Sequence, residues 1–149
     1  MADDEMTFRE IDIVRVFDAP RQLVWAAWTD PDQLAQWWGP AALNTPRETV
    51  EIDLRPGGVF RLTMVMNDGS AEFPSDMHFT AVDPPETLAF AWDAQRGLGA
   101  AEVTVTFKDL GGKTELVSHY AGYISDIIQS FMLQGTNEQI DKLVAHLAR

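Results

Sequence analysis

The sequence predicts an α+β fold, in which a curved antiparallel sheet is wrapped around a long C-terminal helix and two short helices follow the first strand. Between residues 44 and 121, apolar side chains recur at every second position between short turns, which is typical of antiparallel strands with one buried face. From residue 124 onward they recur at every third or fourth position, as in an amphipathic helix. The helix is therefore expected to cover the apolar face of the sheet.

Length and composition limit the class of protein. The 149 residues suffice for one domain, and we expect residues 1–149 to form it, with a frayed tail at 1–6. The chain contains no cysteine, which excludes disulfides, thiol catalysis and thiolate metal sites. The acidic start MADDEM lacks the features of a signal peptide, and no apolar run is long enough to cross a bilayer. The predicted location is the cytoplasm.

The charge balance argues against two classes of partner. Asp and Glu outnumber Lys and Arg by 23 to 11, which gives a net charge of −12. Such a surface repels nucleic-acid phosphates and anionic lipid head groups, and the sequence contains no basic cluster. We therefore expect neither nucleic-acid binding nor membrane insertion.

Start and stop signals place the two short helices. FREIDIVRVFD at 8–18 is predicted as the first strand, and Pro20 is expected at the first position of the helix that follows. At the second helix, Asp30 can cap the N-terminus, and Gln33 has the spacing of a capping box. Gly39 followed by proline then ends this helix.

Two adjacent tryptophans, Trp37 and Trp38, close the second helix. Neighbours on a helix point roughly 100° apart, so a single core face cannot bury both equally. We assign Trp37 to packing and Trp38 to the mouth of a cavity.

The strands between residues 44 and 121 concentrate large, adaptable side chains on one face. Ser118 and Tyr120 are the only polar groups in phase with an apolar stripe, and hydroxyls bonded inside the core are the simpler explanation. Methionine and aromatic residues fill ordinary cores, but they also line small-molecule sites. The apolar residues predicted to share this face are Phe60, Met64, Met77, Phe79, Phe90 and Trp92.

The last segment, 124–149, is predicted as one long helix. Ile124, Ile128 and Phe131 fall on one face, and the apolar rows resume directly after Gly135. The alternative is a break at Gly135 with a new capping box starting at Thr136. A long helix across a strongly curved sheet often leaves a cavity between them. The predicted ligand-binding residues of such a cavity are Trp38, Phe60, Met64, Met77, Phe79, Phe90, Trp92, Ser118, Tyr120 and Phe131.

No convincing catalytic constellation is evident. His78 and His119 are out of phase with the apolar stripes, and His146 lies near the end of the last helix, where the helix dipole favours a cation. The spacing of the histidines matches no zinc site, and the glycine pairs, together with Gly97–Gly99, lie between strands, as turns do. We predict no catalytic residue, no metal ligand and no cofactor.

The segments RVFDAPRQLVWAAWTDPDQLAQWWGP at 15–40 and EIDLRPGGVFRLTM at 51–64 resemble the family of the C-terminal domain of the heat-shock-protein-90 ATPase activator. VDPPETLAFAW and VTVTF continue the resemblance over nearly the whole chain. The resemblance implies the helix-grip fold of the START-like, Bet v 1-like (SRPBCC) superfamily. The members similar to this chain are mostly small bacterial proteins of unassigned activity. Relatives commonly carry Gly-Trp in the last helix, where this chain has Gly135-Thr136, a difference that bears on the cavity's volume.

Three functions follow as hypotheses. The first is a cofactor-independent protein that binds an apolar, aromatic or lipid-like small molecule between sheet and helix. The second, from the resemblance, is a chaperone-interacting module that stimulates an ATPase. The third is a cyclase or hydrolase type of enzyme in which Ser118, Tyr120 or an acid facing the pocket orients the substrate. We expect a monomer or a weak homodimer.

Overall fold

The computed structural model describes residues 5–94 and 99–148 and has the predicted fold class, a curved antiparallel sheet with a long C-terminal helix. A 3-10 turn at Arg47–Thr49 precedes the third strand. The elements, in chain order, are β1 (Thr7–Phe17), α1 (Arg21–Thr29), α2 (Pro31–Trp37), β2 (Leu43–Asn44), β3 (Glu51–Ile52), β4 (Val59–Met66), β5 (Glu72–Asp83), β6 (Thr87–Trp92), β7 (Ala101–Asp109), β8 (Thr114–Ile124) and α3 (Asp126–Leu147).

Strands β4 to β8 pair with their neighbours in chain order, and the last strand, β8, pairs with the first, β1. The strands pair in the order β1-β8-β7-β6-β5-β4-β2, and β3 also pairs with β4. The last strand closes against the first, in a register that runs from Thr7 opposite Ile124 to Phe17 opposite Thr114. Because side chains alternate between the two faces of a strand, this register places Ile11 and Ile13 on the same face as Tyr120 and Ser118.

The core is densest where α1 and α2 meet the sheet. Val24, Leu34 and Trp37 from these helices are fully buried, as are Phe60 and Leu116 from the sheet. Short helices of nine and seven residues are marginal by themselves. Their stability therefore comes from this apolar packing together with the caps at their ends.

The long helix α3 is packed unevenly along its length. Ile140 and Leu143, in its C-terminal half, are buried, whereas Phe131, in its N-terminal half, is 71% exposed. The backbone of α3 approaches α1 and α2 more closely than it approaches the strands. The first half of α3 therefore covers the sheet incompletely, although Ile128 and Met132 pack against the cluster of Tyr120 and Ile124.

Ion pairs with the edge strand β1 hold α3 at both halves. Arg9 lies 2.6 Å from Asp126, and Arg15 lies 2.9 Å from Asp141. Ser125 caps the helix by accepting a hydrogen bond from the Ile128 N–H. The helix is thus fixed at its start and towards its end, and it spans the sheet between these points.

Several sequence predictions about helix ends are decided by this geometry. The single uninterrupted α3 is confirmed, and so is the cap by Asp30, which accepts from the Asp32 N–H at 3.0 Å. Pro20 is the residue before α1 and not its first helical residue, because its ψ of 154° is extended. Ile124 belongs to β8 and not to the helix, because it pairs with Thr7.

The capping box at α2 takes a different form from the one expected. Gln33 donates to the Asp30 carboxylate at 3.4 Å, whereas the Asp30 N–H is bonded to the carbonyl of Ala26 in α1. Most of the tail predicted at 1–6 and of the turn at 97–99 lies outside the described residues. Among the described residues, none of the helices is both long and apolar enough to span a bilayer.

The cap at Asp30 gives a prediction about stability. Asp30→Ala removes the acceptor of the Asp32 N–H, so we expect the free energy of unfolding in urea to fall by about 1 kcal/mol. Asp32→Ala is the control, because it keeps the backbone N–H that Asp30 accepts from and removes only a first-turn carboxylate with an exposed ion pair to Arg47, so it should cost less. Equal losses for the two variants would contradict the capping role.

A second prediction concerns pH. On the convex face of the sheet, His119 Nδ1 lies 2.5 Å from Asp12 Oδ1, and its Nε2 lies 3.2 Å from Glu10 Oε1. The hydrogen bond to Asp12, with support from Glu10, raises the pKa of His119 above its ordinary 6.5, although burial opposes the shift. The stabilisation is therefore fully present below about pH 6.5 and is lost as the pH rises through the higher folded-state pKa.

We accordingly expect His119→Gln to lower the free energy of unfolding at pH 6, by less than about 1 kcal/mol because the cluster is exposed. The difference from the parent protein should disappear at about pH 9, where the imidazole is neutral in both states. Urea titrations of both proteins at the two pH values provide the measurement. A difference that does not depend on pH would contradict a charge-based contribution.

Candidate functional site

A cavity of about 500 Å³ lies between the concave face of the sheet and α3. This is the volume range of small-molecule sites in proteins. Side chains from β1, β4, β5, β6, β7 and β8 form its floor, and α3 and the segment around α2 form its roof and one end. The lining residues are Ile11, Ile13, Trp28, Trp38, Pro40, Met64, Ser75, Met77, Phe90, Trp92, Val103, Ser118, Tyr120, Ile124, Ile128, Phe131, Met132, Gly135, Thr136, Gln139 and Ile140.

Most of the residues predicted to line a cavity lie in this wall, and two do not. Phe60 and Phe79 lie within the packed core, where their rings stack at 5.1 Å and are almost fully buried. Strand alternation identified their face correctly but carried no information on their position along the strand. The predicted residues that do line the cavity are Trp38, Met64, Met77, Phe90, Trp92, Ser118, Tyr120 and Phe131.

The two adjacent tryptophans have different positions, as their angular offset suggested. Trp37 is fully buried, and its Nε1–H donates to the carbonyl of Ala27 at 2.9 Å. Trp38 lines the cavity, and its ring contacts Phe60 at 5.4 Å between centroids. With only 9% exposure, Trp38 lies in the inner wall and not at the mouth to which we assigned it.

The flanks of α3 show where the cavity opens. On one flank, Arg9 and Arg15 tie the helix to β1. On the other flank, Gly135 lies so close to Pro40 that a Cβ added to it would be in ordinary van der Waals contact with the proline ring. Phe131, one turn earlier on α3, is largely exposed. The opening therefore lies beside the N-terminal half of α3, with Phe131 at its rim.

Beyond Gly135, side chains of α3 hold the segment that follows α2 in place. Gln139 accepts a hydrogen bond from the Gly39 N–H at 3.0 Å. Lys142 donates to the carbonyls of Pro40 and Leu43, and burial lowers the pKa of its ammonium group. Gly39 has a φ of +101°, which glycine adopts without the strain that a side chain would bring. The segment that follows α2 therefore closes the cavity at the end near Gly39 and Pro40.

The polar groups of the cavity are neutral. No Asp, Glu, Lys, Arg or His is among the described residues that line it. Burial raises the pKa of the Tyr120 phenol, so this group stays protonated at neutral pH. Ser75, Ser118 and Thr136 add hydroxyls, each of which can donate and accept. The site can therefore hold hydrogen-bonding groups without charge.

Two indole donors in the wall lack partners. The Nε1 atoms of Trp28 and Trp92 are enclosed by protein, and neither makes a hydrogen bond within the described residues. An unpaired buried donor costs about 1–3 kcal/mol. The wall is therefore not optimised for stability alone.

Sequence reasoning missed several lining residues. Ser75 lies two residues before Met77 on the same strand face, so strict alternation could have identified it. Thr136 and Gln139 face the cavity from α3, where helical spacing from Phe131 and Ile128 was the available signal. Ile11 and Ile13 were not recognised because neither face of β1 is cleanly apolar.

Groups capable of acid–base or metal chemistry lie elsewhere. His119 and its two carboxylates are on the convex face, and Glu51 and Asp76 pair with Arg61 at the exposed surface. Within residues 5–94 and 99–148, no cluster of three or more potential metal ligands occurs. The cavity and these charged groups are therefore on opposite sides of the sheet.

Comparison with solved structures finds the same architecture in other proteins. A protein from Arthrobacter aurescens, solved by NMR, is 26% identical over 93% of this chain and 86% of that chain, with a TM-score of 0.82. The crystal structure of the AHSA1 protein from Silicibacter pomeroyi is 24% identical over 94% and 98%, with a TM-score of 0.82. An AHSA1-like protein from Aeromonas hydrophila, also solved by NMR, is 27% identical over 92% and 93%, with a TM-score of 0.76.

Comparison with curated proteins finds no match. The family model described as Activator of Hsp90 ATPase homolog 1-like protein matches residues 18–148, from the end of β1 to the end of α3. Because this match spans nearly the whole chain, the protein belongs to the Activator of Hsp90 ATPase homolog 1-like family.

Proposed function

We propose that the protein binds a neutral, apolar small molecule in the cavity between the sheet and α3. The observation that carries this proposal is an interior space of about 500 Å³ whose described lining contains no charged side chain. Packed cores rarely contain voids larger than a water molecule. Displacing water from an apolar wall of this extent is favourable, so the cavity suits an apolar occupant.

The composition of the wall supports a neutral occupant. An ionised group would lose its hydration inside the cavity and would find no opposite charge among the described lining residues. The net charge of −12 adds repulsion of anions at long range. Aromatic and methionine side chains, such as Trp38, Phe90, Met64 and Met77, can adapt to a flat apolar body.

The family description supplies a second candidate, activation of a chaperone ATPase. The acidic character of the chain favours it, because such a surface is complementary to a basic patch on a partner. This activity would be exerted through the outer surface. It can be examined by measuring the ATPase rate of a 90-kDa heat-shock chaperone with and without the protein, and an unchanged rate would remove it.

The cavity proposal predicts the effect of a plug. Thr136→Trp places a large ring in the space opposite the sheet, so we expect the affinity for N-phenyl-1-naphthylamine, a neutral fluorescent probe, to fall roughly tenfold or more. The unmodified protein should bind this probe saturably with one site per chain. Fluorescence titration measures both quantities.

Ser130→Trp is the matched control, because Ser130 lies on the same helix and is exposed. It should leave the probe affinity unchanged. Thermal unfolding of both variants checks that the fold is retained. Equal binding by the plugged and unplugged proteins, or no saturable binding by the parent, would refute the cavity as the binding site.

A further inference from the structure

We infer that the ligand of this cavity carries a neutral carbonyl group, whose oxygen accepts a hydrogen bond from the Tyr120 hydroxyl. This inference rests on the proposed binding function and adds the chemical class of the ligand. It follows from the position of the Tyr120 hydroxyl over Gly122, from the lack of a protein partner for this hydroxyl, and from the apolar side chains around it.

The Tyr120 hydroxyl lies over one defined point of the cavity floor. A Cβ built on Gly122 would lie 2.8 Å from the Tyr120 hydroxyl oxygen and 2.5 Å from the Cβ of Ala101. Glycine at this position therefore leaves the space that the hydroxyl occupies. The strand register puts Gly122 opposite Arg9 on β1 and opposite Ala101 on β7. The hydroxyl thus lies near the end of β8, close to the start of α3.

Apolar contacts hold the Tyr120 ring in this orientation. Its centroid lies 6.1 Å from that of the Trp92 ring. Tyr120 forms a buried cluster with Ala101 and Ile124. A ring that is packed on several sides has few alternative rotamers, so the hydroxyl is fixed in place before a ligand binds. The half-buried side chains that pack against this cluster are Ile11, Trp92, Val103, Ile128 and Met132.

The Tyr120 hydroxyl has no partner among the described residues. None of them is hydrogen-bonded to it, and, unlike the indole N–H groups of Trp28 and Trp92, it is not sealed off by protein. Tyr120 is only 7% exposed. A ligand that covers it displaces water from the O–H and leaves a buried donor unsatisfied, unless the ligand itself supplies an acceptor. The other hydroxyl residues of the described lining, all half-buried, are Ser75, Ser118 and Thr136.

The surroundings of the hydroxyl favour a carbonyl group over a hydroxyl group on the ligand. Apart from the enclosed indole N–H of Trp92, the side chains clustered around Tyr120 are apolar. Two hydroxyl groups that meet in such surroundings leave one O–H without an acceptor. A carbonyl oxygen accepts from the Tyr120 O–H and brings no donor of its own. The carbonyl therefore satisfies this point of the cavity completely.

The nearest cation in the register, Arg9, is already paired. Its guanidinium bonds to Asp126 and Gln129 on α3, at 2.6 Å in each case. Its Nε also donates to the Thr7 hydroxyl at 2.9 Å. Arg9 is not among the described residues that line the cavity. A carboxylate bound over Gly122 would lose its hydration without a compensating cation, which favours a neutral group such as a ketone, an ester or an amide.

Three matched neutral probes test the inference. They are 2-ethylnaphthalene, 2-acetylnaphthalene and 1-(naphthalen-2-yl)ethanol, which share one flat apolar body. At the same position they carry a methylene, a carbonyl and a hydroxyl-bearing carbon, respectively. Calorimetric titrations measure the affinity of each probe for the unmodified protein and for two variants. Comparing each probe between proteins removes the differences in hydrophobicity between the probes.

Tyr120→Phe removes the hydroxyl and keeps the ring. We expect the affinity for 2-acetylnaphthalene to fall roughly 2- to 10-fold, because its carbonyl loses the donor. The affinity for 2-ethylnaphthalene should not fall, because this probe never accepted the hydrogen bond, and the alcohol should lose less than the ketone. Tyr123→Phe is the matched control, because it removes a phenol hydroxyl from the same strand at a residue that is 53% exposed. It should change none of the affinities, and thermal unfolding checks the fold of both variants.

Infrared spectroscopy provides a readout that altered packing alone does not produce. A hydrogen bond to a carbonyl oxygen lowers the frequency of the carbonyl stretch. In isotope-edited spectra of bound 2-acetylnaphthalene, we expect this band at a lower frequency in the unmodified protein and in Tyr123→Phe than in Tyr120→Phe. An identical band in all three proteins would overturn the assignment of the carbonyl to Tyr120.

The outcomes separate this inference from the function on which it rests. If Tyr120→Phe weakens the ketone and the hydrocarbon equally, or weakens neither, the carbonyl assignment is overturned and the cavity remains an apolar binding site. A loss for the alcohol as large as that for the ketone overturns the preference for a carbonyl. If N-phenyl-1-naphthylamine binds and 2-acetylnaphthalene does not, only the inference is overturned. If none of these probes bind, both the inference and the proposed function are overturned.

Discussion

The structure depends on a mismatch between one helix and the sheet that it covers. A sheet of this width presents more apolar surface on its concave face than a single helix stripe can bury. The C-terminal half of α3 packs against α1 and α2 through Ile140 and Leu143, and its first turn is held by Arg9. Between these fixed points, Ile128 and Met132 pack against the sheet cluster of Tyr120 and Ile124, and the cavity is the space that the helix leaves uncovered beside this contact.

The aromatic cluster around α2 sets the closed boundary of that space. The rings of Trp28, Trp37 and Trp38 lie 4.8–5.8 Å apart between centroids, and Trp38 continues the contacts to Phe60. Large rings in contact at these distances form a rigid wall, because few alternative rotamers fit. Trp37 stabilises the wall from behind, and Trp38 presents one side of it to the cavity. The packing of the short helices around Trp37 therefore fixes the position of Trp38 and, with it, the shape of this side of the cavity.

The sheet separates the His119 cluster and the ion pairs of Arg61 from the site. The His119 cluster and the pairs of Arg61 lie on the exposed convex side, whereas the described lining of the cavity is uncharged. Alternation of side chains along each strand produces this separation, since successive residues point to opposite faces. The protein can therefore have an acidic exterior and an apolar interior site without either weakening the other.

Local patterns in the sequence determined the element types, the apolar face of each strand, the cap at Asp30 and the position of Trp37 in the core. These features depend on neighbours within a few residues, which periodicity and capping rules describe. Only the tertiary structure decided that Phe60 and Phe79 stack away from the cavity, that Ser75 and Tyr120 face one space, and that Trp38 lies in its inner wall. Those positions depend on the distance between α3 and the sheet, which contacts such as Arg9 to Asp126 and Lys142 to Pro40 set between segments far apart in the chain.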